Sequence, residues 1–359
     1  MIRSCQTFAA AALTGPALLL GASQAIAQAT PAGATLTINP AWSLNLSGLM
    51  DLGVKHVSNP TSGAAHNTVV RGNNNRVTLQ GAMALTDGNA VTFGLQHRFE
   101  PDTGTLESPS GSTSRPLFQG EARLGLRSDK LGWLRIGRGL TAVQDPNGAY
   151  DPYGVATVAS LQGVLTAGFS SDPNQTNGAG GGRVNNGIFY ASPKVDGMVF
   201  RGSFSPTENA AGYTHKHMGV SAEYNVDALA AMAGWERNSV GNTLLEVAGK
   251  YNFGPAIGFL GFSHMNAYNS TKDRTGVAVG ARVPMGDYVV KAGYGRLVTA
   301  NFAGDASGTD SVLGVGVDYV INKYAYVYAD AARLRTPTGT TTVTHLKNTA
   351  VDLGLALTF

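Results

Sequence analysis

The most regular feature of the chain is an alternation of apolar and polar or small residues with a period of two. It is clearest over the last segment, where Val351, Leu353, Leu355, Leu357 and Phe359 fall on one face. Asp352, Gly354, Ala356 and Thr358 fall on the other. Successive side chains of a strand point to opposite faces, so this segment reads as a strand with one apolar and one polar side. Comparable segments run near 44–55, 76–85, 90–100, 116–128, 132–139, 184–192, 198–206 and 215–226. A second set runs near 229–238, 242–253, 256–267, 273–284, 287–299, 309–321, 325–336 and 348–359. Sixteen strands are thus expected, most of them near the roughly 9–11 residues that a tilted strand needs to cross a bilayer.

The connections alternate in length. Thr86-Asp87-Gly88-Asn89, Lys194-Val195-Asp196-Gly197, Gly254-Pro255 and Pro284-Met285-Gly286 are short and built from turn residues. Between them lie longer polar segments at 57–75, 101–115, 299–308 and 336–347. Short turns at one end and long loops at the other, with an even strand number, are what a single-chain transmembrane barrel requires. A soluble β-sandwich has no reason to alternate in this way. The expected fold class is therefore all-β: a 16-stranded antiparallel transmembrane β-barrel.

One connection is exceptional. From Gly139 to Arg183 no strand is evident, and a loop of this length is functional or disordered. Its first part, Gln144 to Gly154, is polar and turn-rich, whereas Val155 to Phe169 is mildly apolar. The apolar half would gain nothing in water, so the loop, third among the long ones, is expected to fold into the lumen.

Composition sharpens this picture. Glycine accounts for 47 of 359 residues and charged residues for only 14%, against typical values of about 7% and 25%. No stretch after residue 27 approaches 18 consecutive apolar residues, so no spanning helix is expected. Arg3, the apolar run Phe8–Leu20 and the small-x-small site Ala25-Ile26-Ala27 read as a signal peptide. The division is 1–27 signal peptide and 28–359 barrel. Cys5, the one cysteine, falls in the leader, which leaves no disulfide or thiol chemistry for the mature chain.

Several motifs resemble the general trimeric porins of β-proteobacteria and Neisseria. Ser47-Gly48-Leu49-Met50-Asp51-Leu52-Gly53 looks like that family's opening strand. Asn75-Arg76-Val77 stands where the family carries Ser-Arg and an apolar residue. Ala122 to Leu126 and Leu-Gly-Trp-Leu-Arg-Ile-Gly-Arg (131–138) match its paired strands. Asp151-Pro152-Tyr153-Gly154 resembles its third-loop motif, Asn186 to Pro193 a following strand, and Phe359 its terminal residue. The resemblance implies an outer-membrane location in a Gram-negative cell, a homotrimer among lipopolysaccharide and outer-membrane lipid, and a third loop that narrows the pore. The chain departs from the pattern at Gln119-Gly120-Glu121, where the family usually has Asn-Arg-Gln, and at Gln80, near another customary arginine.

Parity says which charges face water. With Val77, Leu79, Phe93, Leu95, Leu124, Leu126, Leu134 and Ile136 outward, Arg76, Gln80, Arg98, Glu121, Arg123, Arg127 and Arg135 turn inward. Arg201, Lys250, Arg282 and Lys291 come out inward too, and the family match puts Arg138 on the pore wall. An arginine facing the bilayer midplane costs roughly 2–4 kcal/mol, which favours the inward assignment. The expected constriction comprises Arg76, Arg98, Arg123 and Arg138, faced by Asp145 and Asp151 of the long loop. Opposed charges across a constriction make a transverse field suited to small hydrophilic solutes.

Other signals are weak. Gly178–Gly182 before Arg183 lacks the Lys-Ser/Thr ending of a phosphate loop, and Gly314-Val315-Gly316 lacks a βαβ context. His215 and His217 are expected to be solvated pore or rim residues without a metal. Tyr288, Tyr294, Tyr324, Tyr326 and Phe359 suit interfacial girdles. There is no G-x-S-x-G motif for an esterase, and no plug domain for a blocked barrel. The expected function is non-enzymatic passive diffusion of small hydrophilic solutes and ions, anion-preferring, without cofactor or nucleic acid. The alternative is a substrate-selective channel for organic acids or oligosaccharides. Net charge of +3, lowered by one when Arg3 leaves, hints only weakly at the sign of selectivity.

Overall fold

In the computed structural model the described residues are 34–39, 42–59, 66–70, 72, 75–107, 116–174, 181–206 and 212–359. The expected signal peptide, residues 1–27, lies outside them. Sixteen strands form the wall. They are β1 Trp42–Val57, β2 Arg76–Thr86, β3 Asn89–Glu100, β4 Glu121–Ser128, β5 Gly132–Leu140, β6 Arg183–Ala191, β7 Met198–Ser205 and β8 His217–Val226. The second half comprises β9 Leu229–Arg237, β10 Thr243–Asn252, β11 Ile257–Asn266, β12 Arg274–Met285, β13 Tyr288–Ala303, β14 Ala306–Asn322, β15 Ala325–Thr338 and β16 Thr344–Thr358.

Each strand pairs antiparallel with the next, and β16 returns to β1, from Thr358 opposite Leu49 to Ala350 opposite Val57. β1 is shared unequally: its first half, Trp42–Leu49, pairs with β2, while its second half carries β16. The segment Ala34–Asn39 lies along the start of β1, beyond the reach of β16. That offset is the stagger that closing a tilted sheet imposes.

The wall is turned inside out relative to a soluble protein. Leu353 and Leu355 are 52% and 50% exposed, whereas Ala356 and Glu246 are fully buried. The outward face is therefore apolar and suited to lipid, and the polar face lines the lumen. Alternation places both: every second residue of Leu353-Gly354-Leu355-Ala356-Leu357 is large on the lipid side and small inside.

Seven connections at one end are short, such as Asp87-Gly88 and Asp227-Ala228, with Gly88 and Asp227 at positive φ. The other end carries the long ones, including 58–75, 101–120 and the third, Thr141–Gly182. Two segments expected as polar loops are instead mostly ladder. β13 and β14 continue to Ala303 and from Ala306, and β15 and β16 to Thr338 and from Thr344. Polarity marked where the chain leaves the lipid, not where pairing stops. The expected strand at 116–128 is shortened, since residues 116–120 form turns before β4. Tyr326 shares the inward parity of Tyr328 and Asp330, so it lines the lumen rather than the girdle, whereas Tyr288, Tyr294, Tyr324 and Phe359 are exposed.

Replacing Leu353, at mid-height on the lipid face, by arginine is expected to cost about 2–4 kcal/mol. Equilibrium urea unfolding from lipid vesicles measures this, and an unchanged midpoint would mean that this face does not meet lipid.

Candidate functional site

The third long loop lies inside the barrel. It contains two short helices, α1 Gln144–Asn147 and α2 Gln162–Leu165, and its apolar residues form the molecule's main buried cluster. Val143, Tyr150, Tyr153, Leu161, Val164, Leu165 and Phe169 pack on Met232, Leu244, Ala248, Met265, Ala278, Leu297 and Ala332 of β9–β15. Small wall residues make the contact possible. A Cβ on Gly261 would lie 2.2 Å from Leu165 Cδ2, and one on Gly276 2.3 Å from the Val164 carbonyl oxygen. Gly280, Gly293, Gly295 and Gly314 meet Pro152, Tyr153, Leu161, Val164 and Ala159 in the same way. The glycine surplus thus serves a specific purpose: it hollows one inner wall to seat the loop.

Polar side chains of the wall complete the seat by serving the loop's backbone. Ser203 Oγ accepts from Ala142 N (3.0 Å), Ser221 Oγ donates to Ala142 O (2.7 Å) and Ser263 Oγ to Val164 O (2.6 Å). Asp352 accepts from Val158 N (3.0 Å), while Lys250 and Arg282 donate to the carbonyls of Ala149 and Pro152. Glu236 accepts from Thr141 (2.7 Å) and Glu246 from Asn147. Burial, reinforced by Asp330 and Asp151, holds the loop's Tyr153 hydroxyl well above the ordinary tyrosine value, so it stays protonated.

Asp151 is 1% exposed. Its carboxylate accepts from Tyr153 N (3.0 Å), Val155 N (3.2 Å), Ser160 Oγ (2.6 Å) and Leu161 N (3.1 Å). It therefore holds the loop's own turn, including Val155 at φ 67°, a strained value for a β-branched residue. The expected opposing charge is turned inward on the loop. Asp145, by contrast, keeps about a third of its side chain exposed and lies 3.4 Å from Arg201 Nε.

The wall left uncovered by the loop carries the arginines, in two groups. Toward the long-loop end, Arg76 on β2 sits directly opposite Arg98 on β3. Arg98 pairs with Glu107 (2.8 Å), to which Gln119 also donates. Arg138 donates to Gln119 O (2.8 Å) and Asn185 Oδ1 (2.7 Å). Strict alternation would send Arg138 outward with Ile136, but a bulge at Gly137, φ 127°, breaks the parity. Only glycine fits there, since a Cβ would fall 2.2 Å from Ala122 O.

Nearer the short-turn end, Arg123 pairs with Glu121 (2.8 Å) and lies over the Phe189 ring. Arg135 stacks on Trp133, 4.1 Å from the ring centroid, and Trp133 is fixed by a bond to Thr92 (2.9 Å). Arg135 forms no ion pair among the described residues, and Arg123, Asp145, Glu121 and Arg201 surround it. Arg201 is shared between Asp145 and Glu223.

Of the six expected constriction residues, the structure gathers Arg76, Arg98 and Arg138 in one group, sets Arg123 and Asp145 in the other, and turns Asp151 away. Arg183 had no motif to mark it. It joins the first group through a bond to Gly120 O (2.8 Å), where the resembling family carries an arginine on the chain itself. His217 is 2% exposed rather than solvated, with Nε2 3.0 Å from Ser203 Oγ and Nδ1 3.6 Å from Glu236. This Ser-His-Glu row resembles a nucleophile and its base, but the loop's Ala142 amide occupies the serine oxygen. Among the described residues no three His, Asp or Glu side chains gather as metal ligands.

The sequence matches the family model described as Gram-negative porin over residues 9–339. No curated protein sequence matches it significantly. Among solved structures, an anion-selective porin from Comamonas acidovorans aligns with TM-score 0.73 at 20% identity, covering 89% of this chain and all of that one. The outer-membrane protein OmpT of Vibrio cholerae aligns at 0.64 and 16% identity, over 90% and 99%. A mutant of the Rhodopseudomonas blastica porin aligns at 0.60 and 15%, over 88% and 100%.

The two loop aspartates are expected to behave differently. Asp145→Asn should shift ion selectivity toward anions with conductance nearly unchanged. Asp151→Asn should leave selectivity alone but raise current noise, because four loop bonds weaken at once. Single-channel recording of both variants checks this, and identical effects would refute the division of roles.

Proposed function

The chain belongs to the Gram-negative porin family, and we propose that its outer-membrane channel passes small hydrophilic solutes and ions with a preference for anions. One observation carries the sign of that preference. The open face of the lumen presents Arg76, Arg98, Arg123, Arg135, Arg138, Arg183 and Arg201, whereas the loop facing them offers Asp145 as its one exposed acid beside that wall. Glu107, Glu121 and Glu223 neutralise part of the wall. Among the described residues Arg135 forms no ion pair, which leaves a surplus of positive charge on this wall. In a narrow low-dielectric passage, local charge of this kind outweighs the net charge of the chain.

The loop supports a narrow aperture rather than a wide tube, because its backbone and apolar residues are fastened along the strands β7–β16. Its outline suits passive diffusion: no step in the passage calls for a chemical reaction, and the protein is a channel rather than an enzyme. The anion selectivity of the Comamonas acidovorans porin agrees with this reading. The arginines along this wall, Arg135 stacked on Trp133 among them, favour organic carboxylates over oligosaccharides as preferred solutes, since the wall offers cations rather than a bare aromatic face. Cleavage after Ala27 and assembly as a homotrimer in lipopolysaccharide-containing membrane complete the proposal. The small-x-small site supports the first and the family resemblance the second.

The test is the reversal potential of single channels under a salt gradient. Wild type should prefer anions, and the double variant Arg76→Ser/Arg138→Ser should lower the anion-to-cation permeability ratio. Arg135→Ser alone should lower it by about twofold or more, since an unpaired charge in a confined passage acts at full strength. A cation-preferring wild type would overturn the assignment of sign, and insensitive variants would overturn the assignment of residues.

A further inference from the structure

The second long loop folds back on the wall as soon as β3 ends. The chain turns over 101–104, with Gly104 at φ 70° and its amide donating to Glu100 O (2.8 Å). Thr105 and Leu106 then pair antiparallel with Glu100 and Phe99. The register of this short hairpin brings the next residue, Glu107, beside Arg98, and the Glu107 amide donates to Arg98 O (3.2 Å). Residues opposite one another in a ladder share a face. Glu107 therefore takes the inward parity of Arg98, while Leu106 follows Phe99 outward. The turn thus sets a carboxylate of the loop on the lumen side of the wall.

That carboxylate sits among the arginines nearest the long-loop end. Its Oε1 accepts from Arg98 Nη2 (2.8 Å) and its Oε2 from Gln119 Nε2 (3.3 Å). Gln119 carries the contact onward, because its carbonyl accepts from Arg138 Nε (2.8 Å). Arg76 stands opposite Arg98 on β2, and among the described residues Glu107 is the one carboxylate acting on both Arg76 and Arg183. The acids of the third loop do not reach this group. Asp151 holds the loop's own turn, and Asp145 pairs with Arg201 in the other group. Glu107, Arg98 and Arg138 are buried, whereas Arg76 and Arg183 keep part of their surface accessible. A passing anion meets those two, and the buried carboxylate weakens their field from within the group.

Conduction needs a site that attracts an ion and still releases it. Four guanidiniums without a counter-charge would hold a multiply charged anion and stall the passage. We propose that Glu107 of the second loop is a specificity-determining residue of the channel: it sets how tightly Arg76, Arg98, Arg138 and Arg183 together hold an anion, and so keeps multiply charged carboxylates moving. The inference rests on the anion-passing reading given above.

The experiment compares the full-length channel with Glu107→Gln, which keeps an acceptor for Arg98 and removes the charge, and Glu107→Asp, which keeps the charge. Two quantities are read in planar bilayers: the reversal potential under a potassium chloride gradient, and the block of chloride current by added malonate. Glu107→Gln should raise the anion-to-cation permeability ratio by about twofold or more. It should also lower the half-blocking malonate concentration by on the order of 10-fold, the scale of one close charge pair. Glu107→Asp should stay near wild type in both. In the Arg76→Ser/Arg138→Ser background the effect of Glu107→Gln should shrink, because the arginines through which it acts are reduced. A Glu107→Gln channel indistinguishable from wild type would overturn the proposal. Equal effects of the Gln and Asp variants would overturn it too, since the residue would then only pack the loop. So would an undiminished effect in the double-variant background. Each result is a difference from a parent channel, so a cation-preferring wild type would sink the earlier reading of sign without imitating any of them.

Discussion

Everything in this molecule follows from the absence of water in hydrocarbon. A strand there has no solvent to satisfy its amides, so each must find a partner strand, and the sheet has to close. The ladder between β1 and β16 is where that requirement is met. Closure commits the whole backbone of the wall to holding itself together. What remains for function is the inner set of side chains, reached by every second residue, and a loop with room to enter.

The loop creates a second accounting of polar groups inside the first. It carries its own amides and carbonyls into the lumen, and the wall answers them with Ser203, Ser221, Ser263, Lys250, Arg282 and Asp352. Inward charge is therefore of two kinds. On β9–β16 it is consumed by the loop or by close pairs such as Lys291 with Asp330. On β2–β7 it lies outside the seat of the loop, and there the balance of arginine over carboxylate sets the field that a solute meets.

The alternation between large and small residues made the strands, their number and their inward parity legible, because each depends only on neighbours two apart. The seating of the loop was not legible. Gly261, Gly276 and Gly295 look like any strand glycine until the three-dimensional register sets them beneath Leu165 and Val164. Asp151 looked like an opposing charge, since sequence shows a carboxylate but not the four donors that surround it. Arg138 is legible as a wall residue only through resemblance, because the bulge at Gly137 defeats parity. Arg183 was hidden by its position at the start of a strand after a glycine-rich run, where the register shift between Gly187 and Val184 breaks the alternation.

The docking surface of the loop also has an order in time. Residues 143–169 are synthesised before β9–β15, the strands they rest on. During export, Leu161, Val164, Leu165 and Phe169 thus have no native partner until more than half of the remaining wall has arrived. A chain at that stage carries an apolar segment with nothing to cover it, a natural hold for periplasmic chaperones. The narrowing of the pore is then among the last events of maturation, and an arrested barrel would be a wider hole than the finished one.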